Sequence, residues 1–122
     1  MQQVFENLIG NALKYSKQGV TPLIRVTSRL TKGSEAGIQS LAVAKDRLYH
    51  LIEVVDNGIG FSQENAERIF NVFTRLHGNT EYRGTGVGLS IVQKIIENHN
   101  GHIWAESSPG KGATFLILLP FE

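Results

Sequence analysis

Helix-like and strand-like hydrophobic periods follow one another along this chain in the order α-β-β-α-α-β-β. Helical spacing covers 2–17 and 87–99, and Ser62 is a candidate cap for a short helix that continues through 73. Strand-like alternation covers 23–31, 48–56, 102–107 and 112–119, with a long hairpin connection over 32–46. This order predicts an α+β two-layer sandwich, in which helices cover one face of a mixed, mostly antiparallel sheet.

The composition indicates a single domain, residues 1–122, and argues against several functional classes. Apolar residues make up 41% and charged residues 19%, which is typical of a globular chain. A net charge of +1, with no basic run among aromatics, gives no support for nucleic-acid binding. The lack of cysteine excludes disulfides and thiolate metal sites, and no apolar run approaches the ~20 residues of a membrane span. We expect a cytoplasmic domain without direct membrane contact.

The segment "RGTGVGLS" places glycines at 84, 86 and 88 immediately before a helix. A glycine turn that leads into a helix N-terminus exposes free N–H groups at the positive end of the dipole, which suits a phosphate. The spacing fits neither the Rossmann fingerprint nor the P-loop. The segment therefore indicates either a different phosphate-binding turn or a surface turn without a ligand.

The first helix carries a polar stripe beside its apolar face. At about 100° per residue, Asn7, Asn11 and Lys14 lie within roughly 60° of one another. An asparagine oxygen is a suitable ligand for a hard cation, and a lysine supplies a point charge for phosphate. The alternative is an ordinary polar helix edge.

A carboxylate and two glycines follow the second strand in "VVDNGIG". Asp56 ends the apolar run, and Gly58 and Gly60 come directly after it. Such a carboxylate either caps a turn or accepts a hydrogen bond from an exocyclic amine, with glycines that let a flat base approach the backbone. Two more glycines in "PGKGATF" precede the last strand, where a plain hairpin turn is the alternative.

Taken in order, "ENLIGNALKYS", "DNGIG", "IFNVFTR", "GTGVGLS" and "GKGATF" closely resemble the N, G1, F, G2 and G3 boxes of sensor histidine kinases. The resemblance runs from about residue 3 to the end of the chain. It implies the Bergerat-type fold of the gyrase, heat-shock chaperone, histidine kinase and mismatch-repair ATPase superfamily. It also implies a catalytic domain that binds ATP and Mg²⁺ in two-component signal transduction.

The resemblance implies a role for each matching residue. Asn11 matches the magnesium ligand of the N box, and Asn7 matches its neighbour one turn earlier. Lys14 and Tyr15 match residues that line the triphosphate and ribose side of the site. Arg75 resembles an arginine that can reach the γ-phosphate in some members. Asp56 matches the acceptor for the adenine amino group, with Gly58 and Gly60 beside the base and Thr114 in the water network there. Phe70 and Phe73 match the F box, which anchors a lid over residues 74–86. The turn over the phosphates corresponds to Gly84, Thr85, Gly86, Val87, Gly88 and Leu89.

One position favours a kinase over a hydrolase. The superfamily's ATPases have a glutamate general base one turn before the magnesium asparagine, whereas this chain has Asn7, an amide that cannot take a proton. None of the four histidines begins a phosphoacceptor motif, so we expect the acceptor histidine on a separate domain of the full-length protein or dimer, and a response regulator downstream. We expect this chain to be an N-terminally truncated, monomeric fragment that does not autophosphorylate alone. An ATP-binding regulatory module without transfer and a serine kinase of the anti-sigma type remain alternatives.

Overall fold

A computed structural model describes residues 2–36, 43–66, 68–70 and 88–121 of the chain. It contains two helices, α1 (Gln2–Lys14) and α2 (Gly88–Asn98). The four strands are β1 (Ile24–Lys32), β2 (Leu48–Asp56), β3 (His102–Ser107) and β4 (Ala113–Pro120). Short 3₁₀ turns span Gly33–Glu35, Gln63–Asn65 and Arg68–Phe70.

The strands form one sheet in the order β1-β2-β4-β3, and each pair of neighbours is antiparallel. At one end of the sheet the register sets Asp56 opposite both Ile24 and Ala113, and Ala113 opposite Ser107. The α+β class and the antiparallel character of the sheet are therefore confirmed.

The main hydrophobic core lies between the two helices and one face of the sheet. Alternation along β4 directs Phe115 and Ile117 to this face, and Leu116 and Leu118 to the other. The two helices contribute Val4, Leu8, Val92 and Ile96, each at most 1% exposed. The spacing of these side chains at three and four residues explains why both segments are helical.

The opposite face of the sheet is partly covered by the connection between β1 and β2. Ala36 and Val43 of this connection pack with Tyr49, and the backbone N–H of Ala44 donates a hydrogen bond of 3.0 Å to the Tyr49 hydroxyl. The rest of this second cluster is Leu51, Leu116 and Leu118, with Trp104 packed against it. The described parts of the connection thus form a layer on the sheet.

Two predicted helices differ from the structure. Helix α1 ends at Lys14 and not at 17, because the Tyr15 carbonyl accepts a hydrogen bond from Ile59 of another segment, at 2.9 Å. The helix predicted after Ser62 is replaced, within its described residues, by two 3₁₀ turns. Ser62 makes no side-chain capping bond there, and the Gln63 amide instead bonds to β3. The other elements agree with the predicted bounds to within one residue.

Candidate functional site

The end of α1 lies beside the loop that follows Asp56. The loop after β2 docks on the end of α1, where Ile59 N–H donates to the Tyr15 carbonyl. Helix α2 ends just before β3, where Gly101 N–H bonds to the Ile96 carbonyl at 2.9 Å. This is the far end of the sheet from Asp56, because His102, the first residue of β3, pairs with Leu118.

The polar stripe of α1 contains an unpaired buried donor. Among the residues that the structure describes, the buried Nδ2 atom of Asn7 has no hydrogen-bond partner, a state that costs free energy in the absence of a ligand. Asn11, one turn later, is half-buried, and Lys14 is exposed in the last turn. Glu6 lies on the exposed side of the helix, where its carboxylate accepts a 2.9 Å hydrogen bond from Gln2.

Asp56 lies at the end of β2 on the helix-facing side of the sheet, in phase with the core residue Val54. Burial raises the pKa of its carboxyl above the ordinary value, while hydrogen bonds from the backbone of Gly58 and Ala113 act in the opposite direction. The Gly58 N–H donates to Oδ1 at 2.8 Å. These bonds orient a half-buried hydrogen-bond acceptor toward the helix side.

Close backbone approach explains the glycines around Asp56. A Cβ atom on Gly58 would lie 2.6 Å from the Tyr15 carbonyl oxygen. Gly60 and Gly112 have φ angles of 70° and 77°, which favour glycine. A Cβ on Gly112 would also collide with the backbone oxygen of Asp56. Close backbone contacts or positive φ angles therefore require glycine at Gly58, Gly60 and Gly112 of "DNGIG" and "GKGATF".

Thr114 does not lie beside Asp56. It pairs with Val55, so it lies on the opposite face of the sheet, and Ala113 takes the position beside the carboxylate. Phe70, predicted to anchor the lid by packing, is 4% exposed in the core, where its ring meets Phe115 edge to face at 6.1 Å between centroids.

At the start of α2, Gly88 is the first helical residue and Leu89 packs against the main core. Six other predicted site residues lie outside the described part of the chain, namely Phe73, Arg75, Gly84, Thr85, Gly86 and Val87. The predicted lid over 74–86 lies outside it as well.

Sequence reasoning missed Asn57, which joins the loop after β2 to the segment before β1. Its Oδ1 accepts a 2.9 Å bond from Leu23 N–H, and its Nδ2 donates to the Thr21 carbonyl at 3.1 Å. An asparagine before a glycine signals a turn but does not identify a partner more than thirty residues away. Ser107 was also missed, since nothing in its local pattern distinguishes it from other serines of the hairpin.

Within residues 2–36, 43–66, 68–70 and 88–121, no three His, Cys, Asp or Glu side chains are grouped as a metal site. No helix in the same ranges has the length and apolar character needed to cross a membrane.

Comparison with known families gives a match over residues 1–122 to the family described as "Histidine kinase-, DNA gyrase B-, and HSP90-like ATPase". The phytochrome-like protein Cph1 of Synechocystis is 41% identical over 120 residues, which cover 98% of this chain. The sensor histidine kinase WalK of Bacillus subtilis is 36% identical over 122 residues, again 98% of this chain. The chain spans 14% of the length of Cph1 and 18% of that of WalK.

Solved structures share this fold. The catalytic domain of histidine kinase ThkA has a TM-score of 0.67 and 30% identity, covering 97% of this chain and 64% of that one. Full-length ShkA, solved in complex with AMPPNP, has a TM-score of 0.71 and 24% identity, covering 98% of this chain and 21% of that one.

Proposed function

We propose that this chain, which belongs to the histidine kinase-, DNA gyrase B- and HSP90-like ATPase family, binds Mg-ATP and donates the γ-phosphate to a protein histidine. The chain is homologous to the catalytic domains of sensor histidine kinases. The phosphoacceptor histidine would belong to a separate domain of the full-length protein or its dimer. The product would then serve a response regulator in the cytoplasm, where ATP is available.

The observation that carries the proposal is the buried Nδ2 of Asn7, which has no hydrogen-bond partner among the described residues and lies two turns before the end of α1 that contacts the loop after Asp56. A buried amide without a partner is satisfied when a ligand supplies an acceptor, and phosphate oxygens are strong acceptors. Lys14, on the same stripe and exposed, adds a positive charge for the triphosphate.

Asp56 suits recognition of adenine at the other end of the nucleotide. Its ionised carboxylate only accepts hydrogen bonds, so it favours the exocyclic amine of adenine and repels the carbonyl oxygen of guanine. The glycines at 58 and 60 let the loop after Asp56 pack directly against the backbone of Tyr15 and Gly112, which holds the loop beside the carboxylate. Ala113, whose backbone bonds to the carboxylate, has a small side chain.

The side-chain chemistry of Asn11 fits a magnesium ion. Its amide oxygen is a hard ligand, and it lies half-buried one turn after the unpaired amide of Asn7. When bound, Mg²⁺ would neutralise negative charge on the phosphate oxygens. Asn11 would hold the ion, while Lys14 and Asn7 would orient the phosphates.

Transfer to histidine, rather than to water, follows from the chemistry of position 7. In the transfer, a histidine nitrogen forms a bond to the γ-phosphorus as the bond to the bridging oxygen breaks, and ADP leaves with that electron pair. The protein supplies positioning and charge stabilisation for this reaction. Hydrolysis would need a base for water, and the amide of Asn7 cannot accept a proton.

The experiment compares phosphate release by the unmodified protein and by Asn7→Glu, each with labelled Mg-ATP and no acceptor. We expect calorimetry to detect Mg-AMPPNP binding to both proteins, and free phosphate to rise only with the glutamate. Asn98→Glu, at the exposed end of α2, is the matched control and should release none. Rapid hydrolysis by the unmodified protein, or the absence of nucleotide binding, would contradict the proposal.

A further inference from the structure

The hydroxyl of Ser107, at the end of β3, joins two backbone segments that flank Asp56. It accepts a hydrogen bond from Phe61 N–H at 2.9 Å and donates one to the Gly112 carbonyl at 2.6 Å. Phe61 ends the glycine loop that follows Asp56, and Gly112 precedes Ala113, whose backbone bonds to the Asp56 carboxylate. One side chain therefore bonds to both of these segments.

The two segments are in contact around this hydroxyl. A Cβ atom on Gly60 would lie 3.0 Å from the Ser107 Oγ and 2.8 Å from the Gly112 carbonyl oxygen. The Gly110 N–H also donates to the Ile59 carbonyl at 2.6 Å. Because so little space remains, a change in this contact must move the backbone on at least one side.

The Gln63 side chain adds two hydrogen bonds between the segment after Phe61 and β3. Its Oε1 accepts a 2.9 Å bond from Ser107 N–H, and its Nε2 donates to the Ala105 carbonyl at 3.2 Å. The amide thus pairs with two backbone groups on β3, as a neighbouring strand would. It keeps the segment after Phe61 aligned with Ser107.

We propose that Ser107, supported by Gln63, is a positioning residue that sets the Asp56 carboxylate for base recognition. This inference rests on the proposed function. The Gly58 and Ala113 N–H groups orient the carboxylate, and they belong to the two segments that the Ser107 hydroxyl joins. The proposed phosphate side is carried by α1, to which the Ser107 side chain makes no hydrogen bond in the described structure. Ser107 therefore acts on the base end of the nucleotide.

The experiment measures the affinities of Ser107→Ala, Ser107→Thr and the unmodified protein for Mg-AMPPNP, Mg-GMPPNP and Mg-tripolyphosphate by calorimetry. Ser107→Ala should lower the adenine-to-guanine affinity ratio by roughly tenfold, as expected when a partly buried hydroxyl is removed. Its affinity for Mg-tripolyphosphate should be unchanged. Ser107→Thr retains a hydroxyl and should restore the ratio. Ser108→Ala, at the exposed neighbouring serine, is the matched control and should match the unmodified protein.

Three results would overturn the inference: an unchanged ratio in Ser107→Ala, equal losses for AMPPNP and tripolyphosphate, or a threonine variant that behaves like alanine. Equal losses would mean that the hydroxyl only stabilises the fold. If the unmodified protein binds AMPPNP with preference over GMPPNP, these results remove the role of Ser107 and leave the proposed function intact. If it binds neither nucleotide, the proposed function fails and the inference fails with it.

Discussion

In the proposed function, Asp56 is the residue on which base selectivity depends. Asp56→Asn keeps the side-chain shape but replaces one acceptor oxygen with an amide donor, so the preference for ATP over GTP should fall by about 1–3 kcal/mol. Competition of the two nucleotides against one fluorescent analogue measures the difference. Glu53→Gln, which changes a half-buried carboxylate on the opposite face of β2, is the control and should leave the preference unchanged. Equal competition by GTP and ATP with the unmodified protein would remove Asp56 from base recognition.

Burial of Asp56 predicts opposite pH trends for stability and for nucleotide binding. Because the folded pKa is raised, the native carboxyl retains its proton between the ordinary pKa and the folded pKa, where the unfolded chain has lost it. The contribution of Asp56 to the free energy of unfolding therefore falls as pH rises through this window. The proposed recognition of adenine needs the ionised form, so nucleotide binding should strengthen over the same window. Denaturant titrations and nucleotide titrations across pH should show both trends in the unmodified protein and neither trend in Asp56→Asn. If the variant and the unmodified protein have the same pH profiles, Asp56 is not the titrating group.

In the proposed function, Asn11 is the residue on which the magnesium dependence of binding rests. Asn11→Ala removes the amide oxygen and should reduce Mg-ATP affinity by about tenfold or more, while adenosine affinity stays nearly constant. Titrations of ATP with and without Mg²⁺, and of adenosine, separate the two effects. Asn98→Ala, at the exposed end of α2, is a matched control. Equal losses for ATP and adenosine would show that Asn11 is structural.

At the scale of elements, α2 should contribute to stability through one face. Ile96 is fully buried between the helices and the sheet, whereas Ile91 on the same helix is 38% exposed. Ile96→Ala should therefore lower the free energy of unfolding by about 2–5 kcal/mol, because it leaves a cavity in the core. Ile91→Ala should cost less than about 1 kcal/mol. Urea denaturation measures both, and similar losses would mean that α2 is packed differently.

Elements with strong hydrophobic periods could be predicted from the sequence, but contacts between distant segments could not. The two helices and four strands follow from periods of 3.6 and 2. The helix predicted after Ser62 does not form, because the Gln63 side chain bonds to β3, and no local pattern encodes this contact. Thr114 shows the sensitivity of strands to register, because a shift of one residue moves a side chain to the opposite face and puts Ala113 beside Asp56.

At the scale of the whole molecule, five ordered motifs were enough to predict the family and the fold. They could not predict how the motifs are held together, because Asn57 and Ser107 act on backbone groups far away in the chain. The proposed site thus lies where helix α1, the loop after β2 and the β3–β4 hairpin meet. In the described part of the chain, the Asn57 and Ser107 side chains hold these segments together.

The central claim is that the γ-phosphate is transferred to a protein histidine. The most direct measurement mixes this chain with labelled Mg-ATP and a separate phosphoacceptor domain, then determines the amount and the acid stability of label on the acceptor. The account predicts protein-bound phosphate that is lost in acid, is absent when the acceptor histidine is replaced by alanine, and exceeds free phosphate. Acid-stable label, as on a serine, or binding of ATP without any labelled acceptor, would contradict it.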